Sequence, residues 1–356
     1  MKKDLFWTIV TLILSILTMY ICFFKSGLSF QEFVEAIKHA NVLWLIPANV
    51  LWLIPAVLCM FCFIWFEGHS LTLISRSMGY PVQHRKGFLY ASADIYFSSI
   101  TPSATGGQPA SAYFMYIDGL PAEVVTAALI LNLTMYTLAI ITLGLLSVLF
   151  FPSIFFQFPL SCKVMILFGI VSMVLLTLSF IILLKKKVVL LKISSIIFYL
   201  LRKLHFKALS AKLETRFNAG MEKYNLVVEQ ISGKTGLLSR IFFLNLLQRT
   251  SQILVPVFVY FALHGNYSNW LMIFVIQCYV VVGSNFIPMP GAVGISEFIM
   301  FFGYSMLMDN SFAIELAVAS RGISFYTCSI VSLITVILGY IFIRFIKNRR
   351  KSEVRE

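Results

Sequence analysis

Hydrophobic positions along this chain fall into long runs separated by short polar segments. Residues 5–24, 42–66, 122–151, 163–184, 241–263 and 312–346 are each apolar over about twenty residues or more, the length a helix needs to cross a hydrocarbon core. These runs are predicted spans. The first follows a charged start, as a secretory leader would, but its run is of spanning length and no small-residue cleavage motif follows. It is expected to remain as an uncleaved helix. Pro47 and Pro55 fall inside the second run as predicted kinks. Two stretches break the pattern. Residues 96–118, YFSSITPSATGGQPASAYFMYID, crowd Thr101, Pro102, Gly106, Gly107 and Pro109 together, a composition that stops helices. Residues 285–297, NFIPMPGAVGISE, do the same toward the other end.

Composition removes the soluble alternative. Of 356 residues 59% are hydrophobic and 12% charged, with a mean hydropathy of +0.89. A soluble domain carries about 25% charged residues. The expected fold class is therefore an all-α polytopic membrane protein, one integral membrane domain over residues 1–356. Lysine and arginine number 28 against 15 acidic residues, a net charge of +13. In a membrane chain this excess marks cytoplasmic loops and contact with anionic lipid, and no nucleic-acid partner is expected. Residues 185–240 concentrate it, with Ile193, Ile196, Ile197, Leu200, Leu201 and Leu204 at helical spacing. Basic amphipathic helices on the inner leaflet and a solvated helical hairpin fit that insert equally well.

Charge also sets the topology. The N-terminus, residues 76–86, residues 185–240 and the tail after residue 345 are basic and belong inside; the charge-poor connections 25–41, 152–161 and 264–269 belong outside. Counting crossings then makes residues 87–121 enter and return on the inner side, and residues 269–310 on the outer side. Each half becomes span, span, re-entrant pair, span, running in opposite directions. The expected architecture is about six full spans plus two re-entrant helical hairpins in an inverted repeat, repeat 1 about 5–151 and repeat 2 about 163–346. Both termini are expected in the cytoplasm.

Irregular backbone at membrane depth persists only where it is buried in protein or lines a wet cavity. The helices starting near Gln108 and near Ile295 aim their N-terminal N–H groups at such a cavity, where anions and phosphate are favoured. Thr101, Ser103, Thr105 and Gln108 add neutral donors, and Gly106 and Gly107 permit close backbone approach. A headgroup site and a turn merely shaped by Pro and Gly account for these residues equally. Asp94, Asp118, Glu123, Arg249, Glu297, Glu315 and Arg321 are ionisable within or beside apolar runs. Arg249 and Arg321 are the phosphate candidates, since a guanidinium forks onto phosphate oxygens. Glu297 stands at a helix start, where it either caps the helix or joins the site. Asp94 pairs with an arginine or holds a coupling proton. Asp118 and Glu123 are expected at the interface.

Other chemistry is weak. Cys59 and Cys62 make a CxxC, but the flanks VLCMFCFIW are hydrocarbon-like and the six cysteines read as packing residues. The five histidines are scattered, so no metal site is expected. SGKTG at 232–236 has Val228 where a phosphate-binding loop needs its first glycine. No cofactor and no catalytic residue is assigned.

At the broken stretches the chain resembles a known family. TPSATGGQPASAYF, PMPGAVGISEF and ASRGISFYTCSIV look like the motif regions of the lysylphosphatidylglycerol synthase transmembrane-region family, the flippase-like membrane half of the multiple peptide resistance factor. The resemblance covers nearly the whole chain, and its first motif is of the Gram-positive kind. It implies roles for Thr101, Pro102, Gly106, Gly107, Gln108, Pro288, Pro290, Gly291, Gly294, Glu297 and Arg321. The family's more general first motif carries a Glu where Gln108 stands and then an Arg, for which residues 110–113 offer no match. Its second motif has a glycine where Ala292 stands. Full-length relatives transfer lysine from lysyl-tRNA to phosphatidylglycerol through a soluble C-terminal domain; the chain ends at Glu356 soon after its last span, so that domain is not expected here.

Three functions follow. One is a flippase or transporter for an anionic or aminoacylated phospholipid such as lysylphosphatidylglycerol, in the cell membrane. The second is phosphatidylglycerol lysyltransferase, as the family label implies. The third is an accessory subunit of a separate lipid-modifying enzyme. The expected partner is a membrane phospholipid, with a homo-oligomer possible.

Overall fold

The computed structural model describes residues 49–101, 104–185, 194–196, 199, 202–203, 214, 220–221, 223–231, 233–285 and 290–353. The predicted first span at 5–24, the connection after it, Pro47 and most of the basic insert, including Ile193, Ile197, Leu200, Leu201 and Leu204, lie outside the described residues.

Every described element is helical. In chain order they are α1 (Val50–Ser77), α2 (His84–Ile100), α3 (Gly107–Ile117), α4 (Ala122–Phe150), the short α5 (Pro152–Gln157), α6 (Leu160–Lys185), α7 (Thr235–Ala262), a 3-10 turn Tyr267–Asn269 leading into α8 (Trp270–Ser284), a 3-10 turn Pro290–Ala292, α9 (Ile295–Tyr304), α10 (Asn310–Arg321), a π-helical segment Gly322–Thr327, and α11 (Cys328–Glu353). Among the described residues, Leu51–Ser77, Ala122–Phe150, Leu160–Leu184, Thr235–Ala262, Tyr267–Ser284 and Asn310–Ile343 are long and apolar enough to cross a membrane. The chain is thus an all-α polytopic membrane protein. Leu, Ile and Phe on the outer faces of α4, α6 and α11 (Leu149, Phe150, Leu167, Phe168, Ile334, Ile341) are exposed. That is the arrangement lipid selects: tails solvate apolar side chains, and the backbone is satisfied within each helix.

α1 and α7 run antiparallel along their whole length. The Asn49 N–H at the start of α1 donates to the Ala262 carbonyl at the end of α7 (2.8 Å), and Trp52 stacks on Phe258 and meets Phe261 edge-on. Further along, Gln248 bonds Glu67 and Asn245 bonds Ser70. Each of these helices is followed by a packed helical hairpin, α2–α3 after α1 and α8–α9 after α7, and then by a long helix.

Polar contacts tie the helices where apolar contact with lipid gives no preference. Ser70 donates to Asn132 Oδ1 at 2.6 Å, and Asn245 Nδ2 donates to both Ser70 Oγ and Asn132 Oδ1 at 3.2 Å, joining α1, α4 and α7 at a buried point.

Several boundaries differ from the sequence reading. The second span does not end at residue 66; α1 continues to Ser77, because Thr72 and Ser75 bond back to the carbonyls of Gly68 and Leu71 and so carry the helix through a polar stretch. Pro55 lies within α1. Residues 152–157 form a helix, not a turn. Tyr267–Ser284, read as one arm of a hairpin, is itself of spanning length. The last run, read as one span, is interrupted by the π segment. Asp118, expected to be solvated, accepts from Lys86 Nζ (3.0 Å) and Tyr90 Oη (2.7 Å).

Candidate functional site

The first broken stretch is built by its own side chains. After α2 the backbone becomes extended at Thr101. The Thr101 hydroxyl donates to the Phe97 carbonyl (2.6 Å) and accepts from the Gly106 N–H (2.9 Å), which closes the turn. Gly107 then starts α3 so close to α2 that a Cβ there would collide with the Asp94 carboxylate and the Ser98 hydroxyl. This approach brings Gln108 Nε2 to Asp94 Oδ2 at 2.7 Å, while Ser98 donates to Asp94 Oδ1 at 3.1 Å.

The second stretch is held by an ion pair. Gly291, Ala292 and Gly294 have φ of 59°, 51° and 87°, the left-handed region that favours glycine. The Glu297 carboxylate reaches back to accept from the Gly294 N–H (2.7 Å) and, through its other oxygen, from Arg321 Nε (2.9 Å). Arg321 Nη2 donates to the Gly291 carbonyl (2.7 Å), and its guanidinium lies 4.5 Å from the centre of the Phe325 ring. A Cβ on Gly291 would strike that same ring. Arg321 is the last residue before the π segment, whose wider turn directs Ser324 and Phe325 toward the cavity.

Both stretches open on one cavity of about 480 Å³. Thr105 and Gln108 line it from the first, Gly291, Ala292 and Arg321 from the second. Arg249 on α7 lines it between them. Its side chain is 6% exposed, its Nη1 donates to Gln252 Oε1 (2.6 Å), and its guanidinium lies 3.8 Å from the Tyr136 ring centre and 5.1 Å from that of Phe63. Its Nε has no hydrogen-bond partner, and none of the ion pairs among the described residues includes it. Glu67 and Asp94, both buried, line the same cavity, and Gln248 Nε2 donates to Glu67 Oε2 at 2.7 Å.

The predicted residues therefore separate. Thr105, Gln108, Arg249, Gly291 and Arg321 face the cavity. Thr101, Gly106, Gly107, Gly294 and Glu297 build the turns behind it, and Gly106 and Gly107 admit atoms of Thr101 and α2 where close approach to a ligand was expected. Ser103 lies outside the described residues. Glu67 and Tyr136 were missed. The signal for Glu67 was present: Leu71, Leu73 and Ile74 continue the apolar pattern beyond it, so it sits inside the helix. Among the described residues no group of three or more His, Cys, Asp or Glu is placed to hold a metal ion.

The cavity thus offers a desolvated cation that joins none of the described ion pairs, beside two buried acids, ringed by amides and hydroxyls. No curated protein and no solved structure matches the chain. A family model does: residues 7–332 match that described as the lysylphosphatidylglycerol synthase TM region. The chain belongs to this family of membrane regions.

Proposed function

We propose that the chain is a flippase-like membrane transporter that takes the anionic or aminoacylated headgroup of a phospholipid into the cavity between its two broken stretches. Arg249 carries this reading. A buried guanidinium is costly without a partner, and here its Nε lacks one and it faces a cavity shared with Gln108 and Arg321. A phosphodiester supplies the missing acceptor and charge. Two helical hairpins on antiparallel leading helices support a site reachable in turn from either leaflet. On this reading the chain lies in the cell membrane with both termini cytoplasmic, and Thr105, Gln108 and Arg249 contact the headgroup.

Headgroup accessibility in proteoliposomes tests it. Protein-dependent movement of a labelled phosphatidylglycerol or lysylphosphatidylglycerol is expected, slowed about tenfold or more in Arg249→Ala, the loss appropriate to a charge-assisted hydrogen bond. Absence of movement for any phospholipid or glycolipid carrier overturns it.

A further inference from the structure

The acids beside Arg249 have no place in a site built only to hold an anion. Glu67 is 5% exposed and Asp94 9% exposed, and both line the cavity. Two buried acids share this cavity with one buried guanidinium, so a neutral site keeps one proton on the pair. Each also receives an amide N–H, Glu67 from Gln248 and Asp94 from Gln108. The same cavity carries a second, independent sign of a ligand in the unpartnered Nε of Arg249.

Among the described residues, the charged and titratable groups around the pair are few. Arg249 comes from α7, Tyr136 from α4 and Cys328 from α11; α3 contributes only the neutral Gln108. Arg321 of α10 is neutralised by Glu297 of α9. On α1 and α2 themselves, His69 and His84 turn to each other (3.1 Å) and Tyr90 turns to Asp118. Charge balance then leaves one carboxylate facing the Arg249 guanidinium and a proton on the other acid. A bound phosphodiester neutralises Arg249 and leaves that carboxylate as an uncompensated buried negative charge.

We propose that Glu67 and Asp94 form a proton site coupled to the anion site, such that binding one anionic headgroup at Arg249 brings one further proton onto the pair. The balance is simple: a monoanion and a proton enter together, no bond is broken, and the cavity stays neutral. This rests on the anion reading of Arg249 given above. It makes the carboxyl pair the device by which a pH difference across the membrane biases headgroup occupancy. Because a proton is taken up, affinity weakens as pH rises, about tenfold for each unit in the range where the pair titrates.

The test is calorimetric titration of the full chain in detergent with short-chain phosphatidylglycerol, in buffers of different ionisation enthalpy. Uptake of about one proton per bound lipid is expected. The isosteric double variant Glu67→Gln/Asp94→Asn is expected to bind with no proton uptake and with an affinity independent of pH. Single substitutions are not diagnostic, since either acid alone can still accept the proton. Lipid binding by the wild type without proton uptake overturns the coupling and leaves the anion site standing. Absence of binding overturns both. Uptake that persists in the double variant places the proton elsewhere and overturns the assignment to this pair. Should the double variant fail to fold, the wild-type proton count alone decides.

Discussion

Arg249 and Arg321 line one cavity and are held in opposite ways. Arg321 is fully engaged: Glu297 takes its Nε, the Gly291 carbonyl takes its Nη2, and Phe325 covers its face. Arg249 rests on aromatic rings and one glutamine amide, with an open Nε and two buried acids lining the same cavity. The first arrangement is that of a brace, in which a cation fixes a loop whose backbone is in an unfavourable region. The second is that of a receptor, in which a cation stays desolvated for a partner yet to arrive. Two arginines of the same type and near-equal burial therefore contribute to different quantities, one to stability and one to affinity.

The sharpest way to break that contrast is to remove the braces. Glu297→Ala strands the Arg321 charge and frees the Gly294 N–H, and should destabilise the protein by about 3–5 kcal/mol; Arg249→Met, which breaks no described ion pair and whose charge a proton on Glu67 or Asp94 replaces, should change stability by no more than about 1 kcal/mol. Thermal unfolding in detergent compares the two, and an equal loss for both would end the distinction. A second, smaller effect belongs to the first stretch. Gly107→Ala forces a methyl into the Asp94 carboxylate and Ser98 hydroxyl and should cost about 1–3 kcal/mol, with the α2–α3 hairpin opening first in hydrogen exchange. The smallest effect has the opposite sign. Ala292 is held at a φ of 51°, so Ala292→Gly should relieve strain and raise stability by up to about 1 kcal/mol, read from the same melting curves.

The residues themselves explain why some of this was legible in the sequence. Thr101, Gly106, Gly107, Gly291 and Gly294 mark turns because backbone geometry is a local property, and proline and glycine announce it. What those glycines approach is not local. Gly107 meets Asp94, thirteen positions back, and Gly291 meets Phe325, thirty-four positions on, and no spacing rule relates either pair. Glu67 escaped notice because the span was closed at the first charged residue, whereas serine and threonine hydroxyls further along bond back to their own helix and let α1 continue. The predicted first span and Ser103 lie outside the described residues and add nothing to this comparison.

The sequence by itself determined the class of the molecule. Long apolar runs require helices in lipid, since a spanning segment must satisfy its own backbone hydrogen bonds. It also determined where those helices break and which ionisable residues are embedded among them. Only the tertiary structure decided partners. It gave Arg321 to Glu297, tied Gln108 to Asp94, and left Arg249 outside the described ion pairs in a cavity it shares with two acids. Pairing depends on which faces of distant helices meet, and in a chain whose outward faces are uniformly apolar that is fixed by the few buried polar contacts between helices rather than by any local pattern.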